Sequence, residues 1–198
     1  ANLKMKQMCD DGLLGKVGII RRRHCLNLLF NTGFLAGKTR WHVDPEQNMG
    51  MWMDDASHAA DYLYWMLGQP VSVTAEIGSI MTDVVFDETG VGLYKFASGA
   101  LGVLFNSSAI WASEVTTEIY GDRGVLIENY GDGPSTSVLP PNPIHVKYYD
   151  SQAADKGWQD LGVPIPPGHG WRIQNVIRNI LDEYKAGQVQ CSARDGKV

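Results

Sequence analysis

The sequence has few cysteines, and they match neither a disulfide framework nor a zinc ribbon. Cys9, Cys25 and Cys191 are odd in number, and no two of them form a Cys-x-x-Cys pair. Small secreted domains carry even numbers of cysteines, and zinc ribbons need closely spaced pairs. The sequence therefore argues against both classes and favours a reducing, cytoplasmic location.

Long apolar runs and a basic excess are also lacking. No apolar segment reaches the roughly 20 residues of a membrane-spanning helix, and residues 1–6 lack the apolar centre of a signal peptide. The net charge is −5, and Arg21-Arg22-Arg23 is the one dense group of cations. Because strand alternation sends neighbouring side chains to opposite faces, we interpret this triplet as a solvated strand end. Neither a membrane nor a nucleic acid is an expected partner.

What is present fits one α/β domain. Of the 198 residues, 44% are apolar and 20% are charged, as in soluble globular proteins. The pattern predicts an open, mostly antiparallel sheet with helices packed on one face, the last helix included, and a long loop over residues 31–48. Predicted helices cover residues 3–9, 50–67 and 171–185, and predicted strands cover residues 17–20, 71–77, 92–96, 101–106, 115–120, 125–128 and 145–149. Short turns at 97–99 and 121–124 predict two hairpins.

The helix over residues 50–67 carries the candidate chemistry. Asp54, His58 and Asp61 are spaced at i, i+4 and i+7, which places them on one helical face. An imidazole held by a carboxylate can move a proton on and off a hydroxyl or carbonyl oxygen. The spacing equally allows a buried histidine hydrogen-bonded to Asp54, with Asp61 as a surface charge. Both interpretations remain open on spacing alone.

The segments around this helix resemble the C-terminal half of the Gfo/Idh/MocA family, which includes glucose-fructose oxidoreductase and inositol dehydrogenase. The resemblance covers nearly the whole chain. It lies in Asp11-Gly-Leu-Leu-Gly15-Lys-Val, Trp41-His-Val-Asp44-Pro45-Glu46, Asp54-x-x-x-His58-x-x-Asp61, Gly68-Gln-Pro70-Val-Ser-Val-Thr-Ala75, Ser98-Gly-Ala-Leu-Gly102 and Glu118-Ile-Tyr-Gly121-Asp-Arg-Gly124-Val-Leu.

The resemblance implies an NAD(P)-dependent oxidoreductase acting on a CH–OH group of a sugar, polyol or related compound. His58 would exchange the substrate proton and Asp54 would orient its imidazole. Trp41, His42, Asp44 and Asp61 would line the substrate site. The family also implies a homodimer or homotetramer formed through the sheet. Two departures affect the pocket: Asn48-Met49-Gly50 replaces a common run of three glycines, and His42 replaces a common arginine.

No dinucleotide fingerprint is present in the sequence. Residues 12–18 and 168–170 lack the required glycine spacing, and residues 33–39 have three residues between glycines where a phosphate loop has four. Residues 1–198 are therefore expected to be the substrate-binding and oligomerisation domain of a two-domain dehydrogenase. NAD or NADP would be bound mainly by an N-terminal domain outside this chain, and the last helix of the family would be truncated.

Other chemistries are less well supported by the sequence. Asp54 and His58 could share a metal with His24, His42 or His169, but spacing fixes no third ligand, so we predict no metal site. An independent hydrolase lacks a Gly-x-Ser-x-Gly nucleophile elbow. The remaining alternative is a non-catalytic ligand-binding or oligomerisation module derived from the same family.

Overall fold

The computed structural model describes residues 1–130, 141–165, 167 and 169–188, without the side chains of residues 112–114, 169 and 172. The helices are α1 (Asn2–Asp10), α2 (Thr32–Ala36), α3 (Met51–Leu67) and α4 (His169–Ala186), with 3₁₀ helices at Arg40–Val43 and Ser151–Lys156. The strands are β1 (Val17–Asn27), β2 (Pro70–Gly78), β3 (Thr89–Phe96), β4 (Leu101–Ser107), β5 (Ala109–Gly121), β6 (Gly124–Glu128), β7 (Val146–Asp150) and β8 (Gln159–Asp160).

The strands form one sheet in the order β2-β3-β4-β1-β5-β6-β7-β8. β1 runs parallel to β4, and the other neighbours are antiparallel. β3 and β4 form one predicted hairpin, and β5 and β6 form the other. The prediction of an open, mostly antiparallel α/β sheet is therefore confirmed.

Helices α1 and α3 cover one face of this sheet. α3 buries Ala56, Ala59 and Leu63, whose spacing of three and four residues forms a continuous apolar stripe. Gly68 ends the helix with a φ of +81°, and its N–H bonds to the carbonyl oxygen of Tyr64 at 2.7 Å. The core between the helices and the sheet comprises Met5, Met8, Leu14, Ile20, Ala56, Ala59, Tyr62, Leu63, Phe96, Ala100, Leu104, Ile119, Leu126 and Val146.

Strand β1 corrects the prediction for the arginine triplet. It continues to Asn27 instead of ending at residue 20, because it pairs with β4 on one side and β5 on the other. The triplet does alternate between faces, since Arg21 is exposed and Arg22 is buried. The interpretation as a solvated strand end was wrong, because Arg22 forms a buried ion pair with Glu128.

Helix α4 confirms the predicted position of a helix. It belongs to a second compact unit that begins at Ile165, while residues 1–164 form the first. Its apolar stripe is at the helical spacing expected from the sequence, yet Val176, Ile180 and Tyr184 are 56%, 59% and 81% exposed. The predicted packing of α4 on the sheet stays a prediction. The predicted truncation of the family's last helix falls on the end of the chain, and residues 189–198 lie outside the described part.

The predicted loop over residues 31–48 contains two short helices. Asn31 begins α2 by accepting hydrogen bonds from the N–H groups of Gly33 and Phe34 at 3.0 and 3.2 Å. The 3₁₀ helix Arg40–Val43 follows. Such short elements have no apolar period of their own, so the sequence pattern could not reveal them. None of the helices in the described part is long and apolar enough to cross a membrane.

Candidate active site

The amino end of α3 is fixed by Asp87, which precedes β3. Its carboxylate accepts hydrogen bonds from the N–H groups of Met51 and Trp52, both at 3.1 Å. Gly50 has a φ of +138°, and a Cβ at this position would lie 2.1 Å from Asp87 Oδ2. Only glycine allows the carboxylate to approach the helix end so closely. Asp87 is separated from Met51 by 36 residues, so no local sequence pattern predicts this cap.

The loop before Asp87 is held by its neighbour Glu88, which is fully buried. The Glu88 carboxylate accepts hydrogen bonds from the N–H groups of Ile80, Met81 and Thr82, and from the Thr82 hydroxyl. Burial by itself would raise the pKa of Glu88, but these hydrogen bonds outweigh it and lower the pKa. Residues 87 and 88 therefore fix the helix end and the 79–87 loop together.

A cleft of about 330 Å³ lies between residues 42–51 and this 79–87 loop. Its walls combine apolar groups, such as Met51 and Phe86, with the carboxylates of Asp44, Asp83 and Asp87. No lysine or arginine is among the residues that line it within the described chain. The cleft can accommodate a small neutral ligand with several hydrogen-bonding groups.

The structure brings two of the predicted site residues, Asp54 and His42, into direct contact. Asp54 Oδ2 is hydrogen-bonded to His42 Nδ1, and Asn48 Nδ2 lies 3.4 Å from the same oxygen. His42 and Asp54 are partly buried, with side-chain exposures of 22% and 26%. The resemblance had assigned Asp54 to His58, so this pairing differs from the expected one.

His58 and Asp61 lie on the solvent-facing side of α3, so the alternative of a buried His58 hydrogen-bonded to Asp54 is wrong. Both are exposed. The His58 ring lies 5.8 Å, centroid to centroid, from the ring of His24, which is buried on β1. The roles predicted for His58 and Asp61 stay predictions, because these contacts identify no ligand.

Asp55 is a titratable residue that the sequence reasoning missed. Its carboxylate is buried under α3 and accepts a hydrogen bond from the Ser108 hydroxyl at 2.5 Å. Burial raises its pKa to about 6; the Ser108 hydrogen bond and His58 oppose this rise, and the charge of Asp54 adds to it. A signal was available, because Asp55, Ala59 and Tyr62 are spaced at i, i+4 and i+7 on the buried stripe.

Trp41 and Asp44 flank His42 in the 3₁₀ helix and the turn after it. Trp41 is 43% exposed and stacks on His42. Asp44 lines the cleft and accepts hydrogen bonds from Glu46 N–H at 2.9 Å and Gln47 Nε2 at 2.6 Å. These two hydrogen bonds lower the pKa of Asp44, the Glu46 N–H contributing most. Asp44 therefore stays ionised at the rim of the cleft.

The glycine-rich turns have structural explanations in the described residues. Gly15 has a φ of +69°, and a Cβ there would lie 1.9 Å from Asp122 Oδ1, so it is needed for packing against the β5–β6 turn. At Gly37 a Cβ would lie 2.5 Å from the carbonyl oxygen of Gly33. Neither of these two turns is an open cradle for the phosphates of a dinucleotide.

The candidate metal ligands from the sequence were Asp54 and His58 with His24, His42 or His169. Among the described residues, no group of three or more His, Cys, Asp or Glu side chains is placed to hold a metal ion. His42, one of the candidate ligands, is hydrogen-bonded to Asp54 through Nδ1. The side chain of His169, another candidate, lies outside the described part of the chain.

Several solved structures that are similar to this chain are oxidoreductases. Levoglucosan dehydrogenase in complex with NADH has a TM-score of 0.76 and 17% identity over 96% of this chain and 55% of its own. A putative NADPH-dependent oxidoreductase from Desulfitobacterium hafniense has a TM-score of 0.69 and 18% identity over 98% and 54%. The WlbA dehydrogenase from Bordetella pertussis, in complex with NADH and UDP-GlcNAcA, has a TM-score of 0.55 and 22% identity over 65% and 37%.

The chain spans about half the length of the first two structures and 37% of WlbA, and their identities establish the fold alone. A comparison with the curated proteins gives no match. The family model for the GFO/IDH/MocA C-terminal domain matches residues 2–127, which is more than half of the chain and includes α3 and its neighbours. The chain therefore belongs to the GFO/IDH/MocA oxidoreductase family, as its C-terminal domain.

Proposed function

We propose that this chain supplies the substrate-binding and proton-transferring half of an NAD(P)-dependent oxidoreductase acting on a CH–OH group of a sugar, polyol or related compound. The observation that carries the proposal is the Asp54–His42 hydrogen bond at the amino end of α3, beside the cleft. A carboxylate that holds an imidazole in place is suited to proton transfer at a hydroxyl oxygen. The levoglucosan in one complex of levoglucosan dehydrogenase and the UDP-GlcNAcA in the WlbA complex motivate the substrate class.

We assign roles to the remaining site residues from their positions. His58 takes part in transferring the hydroxyl proton, because it is exposed one turn beyond Asp54 on α3. Asp44 lines the cleft and can accept hydrogen bonds from substrate hydroxyl groups, while Trp41 offers an exposed ring for stacking against a sugar. Asp61 lies at the outer end of the same face.

The cofactor in this proposal is NAD or NADP, bound mainly by a part of the full-length enzyme outside this chain. When bound, the nicotinamide supplies or accepts the hydride. The present residues then bind the hydroxyl compound, keep its reacting oxygen close to His58 and Asp54, and move the proton.

Replacing His58 with alanine in the full-length enzyme tests the proposal. We expect kcat/KM to fall by about 10²-fold, the lower end of the usual contribution of acid–base catalysis. The assay follows reduced nicotinamide with NAD⁺ or NADP⁺ and a panel containing levoglucosan, glucose and myo-inositol. Gln69→Ala, beyond the end of α3, is the control.

Normal turnover by His58→Ala would contradict the role of His58. Binding of one of these compounds by the wild-type enzyme without any turnover would instead support the alternative, a non-catalytic ligand-binding module. The two functions are thus separated by one assay.

We further propose that the sheet face opposite α3 mediates a homodimer or homotetramer. Ile19, Val91 and Leu93 on this face are 40%, 47% and 39% exposed, which leaves a row of apolar side chains across β1 and β3. Light scattering of the full-length protein is expected to give a dimer or tetramer, and Leu93→Lys is expected to shift it towards the monomer. A monodisperse wild-type monomer would contradict the proposal.

A further inference from the structure

His42 is held in one orientation before any substrate binds. Its ring stacks on the Trp41 ring, with the two centroids 3.6 Å apart. The centroid of the Phe34 ring, on α2, lies 5.3 Å from that of His42. Asn48 Nδ2 donates to the carbonyl oxygen of His42 at 2.7 Å. A side chain fixed in this way loses little further entropy when a ligand binds, which is the property of a preorganised catalytic group.

The contact with Asp54 determines which nitrogen of His42 carries the hydrogen. An ionised carboxylate can only accept hydrogen bonds, so Nδ1 of His42 must be the donor to Asp54 Oδ2. In the neutral imidazole the lone pair then resides on Nε2. This is the tautomer in which a histidine serves as a general base with a carboxylate behind it.

The two adjacent carboxylates of α3 are both engaged away from His58. Asp54 Oδ2 bonds to His42, and Asp55 Oδ2 accepts the Ser108 hydroxyl. Among the described residues, neither carboxylate is hydrogen-bonded to the His58 ring, whose ring contact is with His24. Of the two imidazoles, His42 is therefore the one whose tautomer is set by a carboxylate.

His42 also lines the 330 Å³ cleft, which His58 does not. The charged groups facing the cleft with it are Asp44, at the end of its own 3₁₀ helix, and Asp83 and Asp87 on the opposite loop. Arg40 lies on the same 3₁₀ helix as His42. A cleft dominated by carboxylates disfavours anionic ligands and favours a neutral or cationic hydroxyl compound next to the imidazole.

We propose that His42, oriented by Asp54, is a further catalytic base of this site, and that it takes the proton of a substrate hydroxyl at Nε2. The inference rests on the proposed function and adds His42 to it, beside the proton-transferring role proposed for His58. The substrate O–H bond breaks and an Nε2–H bond forms. The imidazolium is stabilised by the Asp54 carboxylate, and in reduction the same proton returns to the carbonyl oxygen.

His42→Asn in the full-length enzyme is the central test. Asparagine places an N–H group near the former position of Nδ1 and can keep the bond to Asp54, but it provides no base. We expect kcat to fall by about 10²-fold with KM changed only a few-fold, and the acid limb of the pH–rate profile to disappear. His58→Asn, assayed in parallel with the same polyol panel, is expected to lower kcat/KM as well but to retain the acid limb.

An unchanged pH profile in His42→Asn, or loss of the acid limb in His58→Asn alone, would overturn the inference. His42→Phe provides a second variant, since it keeps the aromatic contacts with Trp41 and Phe34 and should be at least as inactive as His42→Asn. Absence of turnover in the wild-type enzyme would count against the proposed function itself, so the two failures are distinguishable.

Histidine NMR of the full-length protein gives a readout that does not depend on turnover. With ¹⁵N-labelled histidine, we expect the neutral His42 ring to be in the Nδ1–H tautomer. Asp54→Ala should return it towards the Nε2–H tautomer that free imidazole side chains favour, while His145, just before β7, keeps its wild-type signals. An Nε2–H tautomer of His42 in the wild-type protein would overturn the inference.

Discussion

Replacing Arg22 with methionine is expected to lower the free energy of unfolding by about 3–5 kcal/mol, because it leaves a buried carboxylate without its cation. Arg22 is 1% exposed. Its Nη1 donates to Thr117 Oγ1 and lies 3.2 Å from Glu128 Oε2, and its guanidinium group stands 4.6 Å from the centre of the Tyr62 ring. Glu128 is equally buried, so water cannot replace the lost partner.

The neighbouring arginine provides a matched control. Arg21 is on the same strand and pairs with Glu118, but its side chain is 55% exposed. Arg21→Met should therefore cost about 1 kcal/mol or less, as exposed ion pairs usually do. Urea denaturation at neutral pH measures both variants. If Arg22→Met were no more destabilising than Arg21→Met, the buried ion pair would not have the expected energetic importance.

The double variant Arg22→Met/Glu128→Met sharpens this test. It removes both charges and fills the space with apolar groups, so it should recover much of the stability that Arg22→Met loses. His145 Nε2 lies 3.6 Å from Glu128 Oε1, and His145 Nδ1 lies 3.0 Å from the carbonyl oxygen of Pro164. Recovery by less than the full amount is expected, because His145 also loses its carboxylate neighbour.

Replacing Asp55 with asparagine is expected to stabilise the protein above pH 6 by up to about 3 kcal/mol. The carboxyl has a pKa of about 6 when folded, against 3.8 as the ordinary value, and each pKa unit corresponds to about 1.4 kcal/mol. The folded state therefore holds this proton more tightly than the unfolded state does. Its stabilising effect is complete below pH 3.8 and is lost as the pH rises to 6.

Asparagine at position 55 still offers an oxygen to the Ser108 hydroxyl but never ionises. The difference in unfolding free energy between Asp55→Asn and the wild type should grow from pH 4 to pH 7 and then stay constant. Asp61→Asn, which removes an exposed carboxylate from the same helix, is the control and should change stability by about 0.5 kcal/mol or less. A difference independent of pH would contradict the burial argument.

Local sequence patterns determined most of the fold. The apolar stripe of α3 and the stop at Gly68 were visible as spacing, because a helix repeats every 3.6 residues. The β3–β4 and β5–β6 hairpins followed from glycine-containing turns between alternating strands. The family followed from the order of short motifs around Asp54 and His58, and the family model matches the same region.

What only the tertiary structure decided was which side chains meet. His42 and Asp54 are 12 residues apart and come together because a 3₁₀ helix turns the chain back over the first turn of α3. Arg22 and Glu128 are 106 residues apart and meet only when β5 lies between their strands. The spacing of residues along the sequence indicates which face of a helix or strand a residue occupies. Its hydrogen-bond partners come from distant segments of the chain, so only the tertiary structure shows them. Burial then determines how strong each of these contacts is.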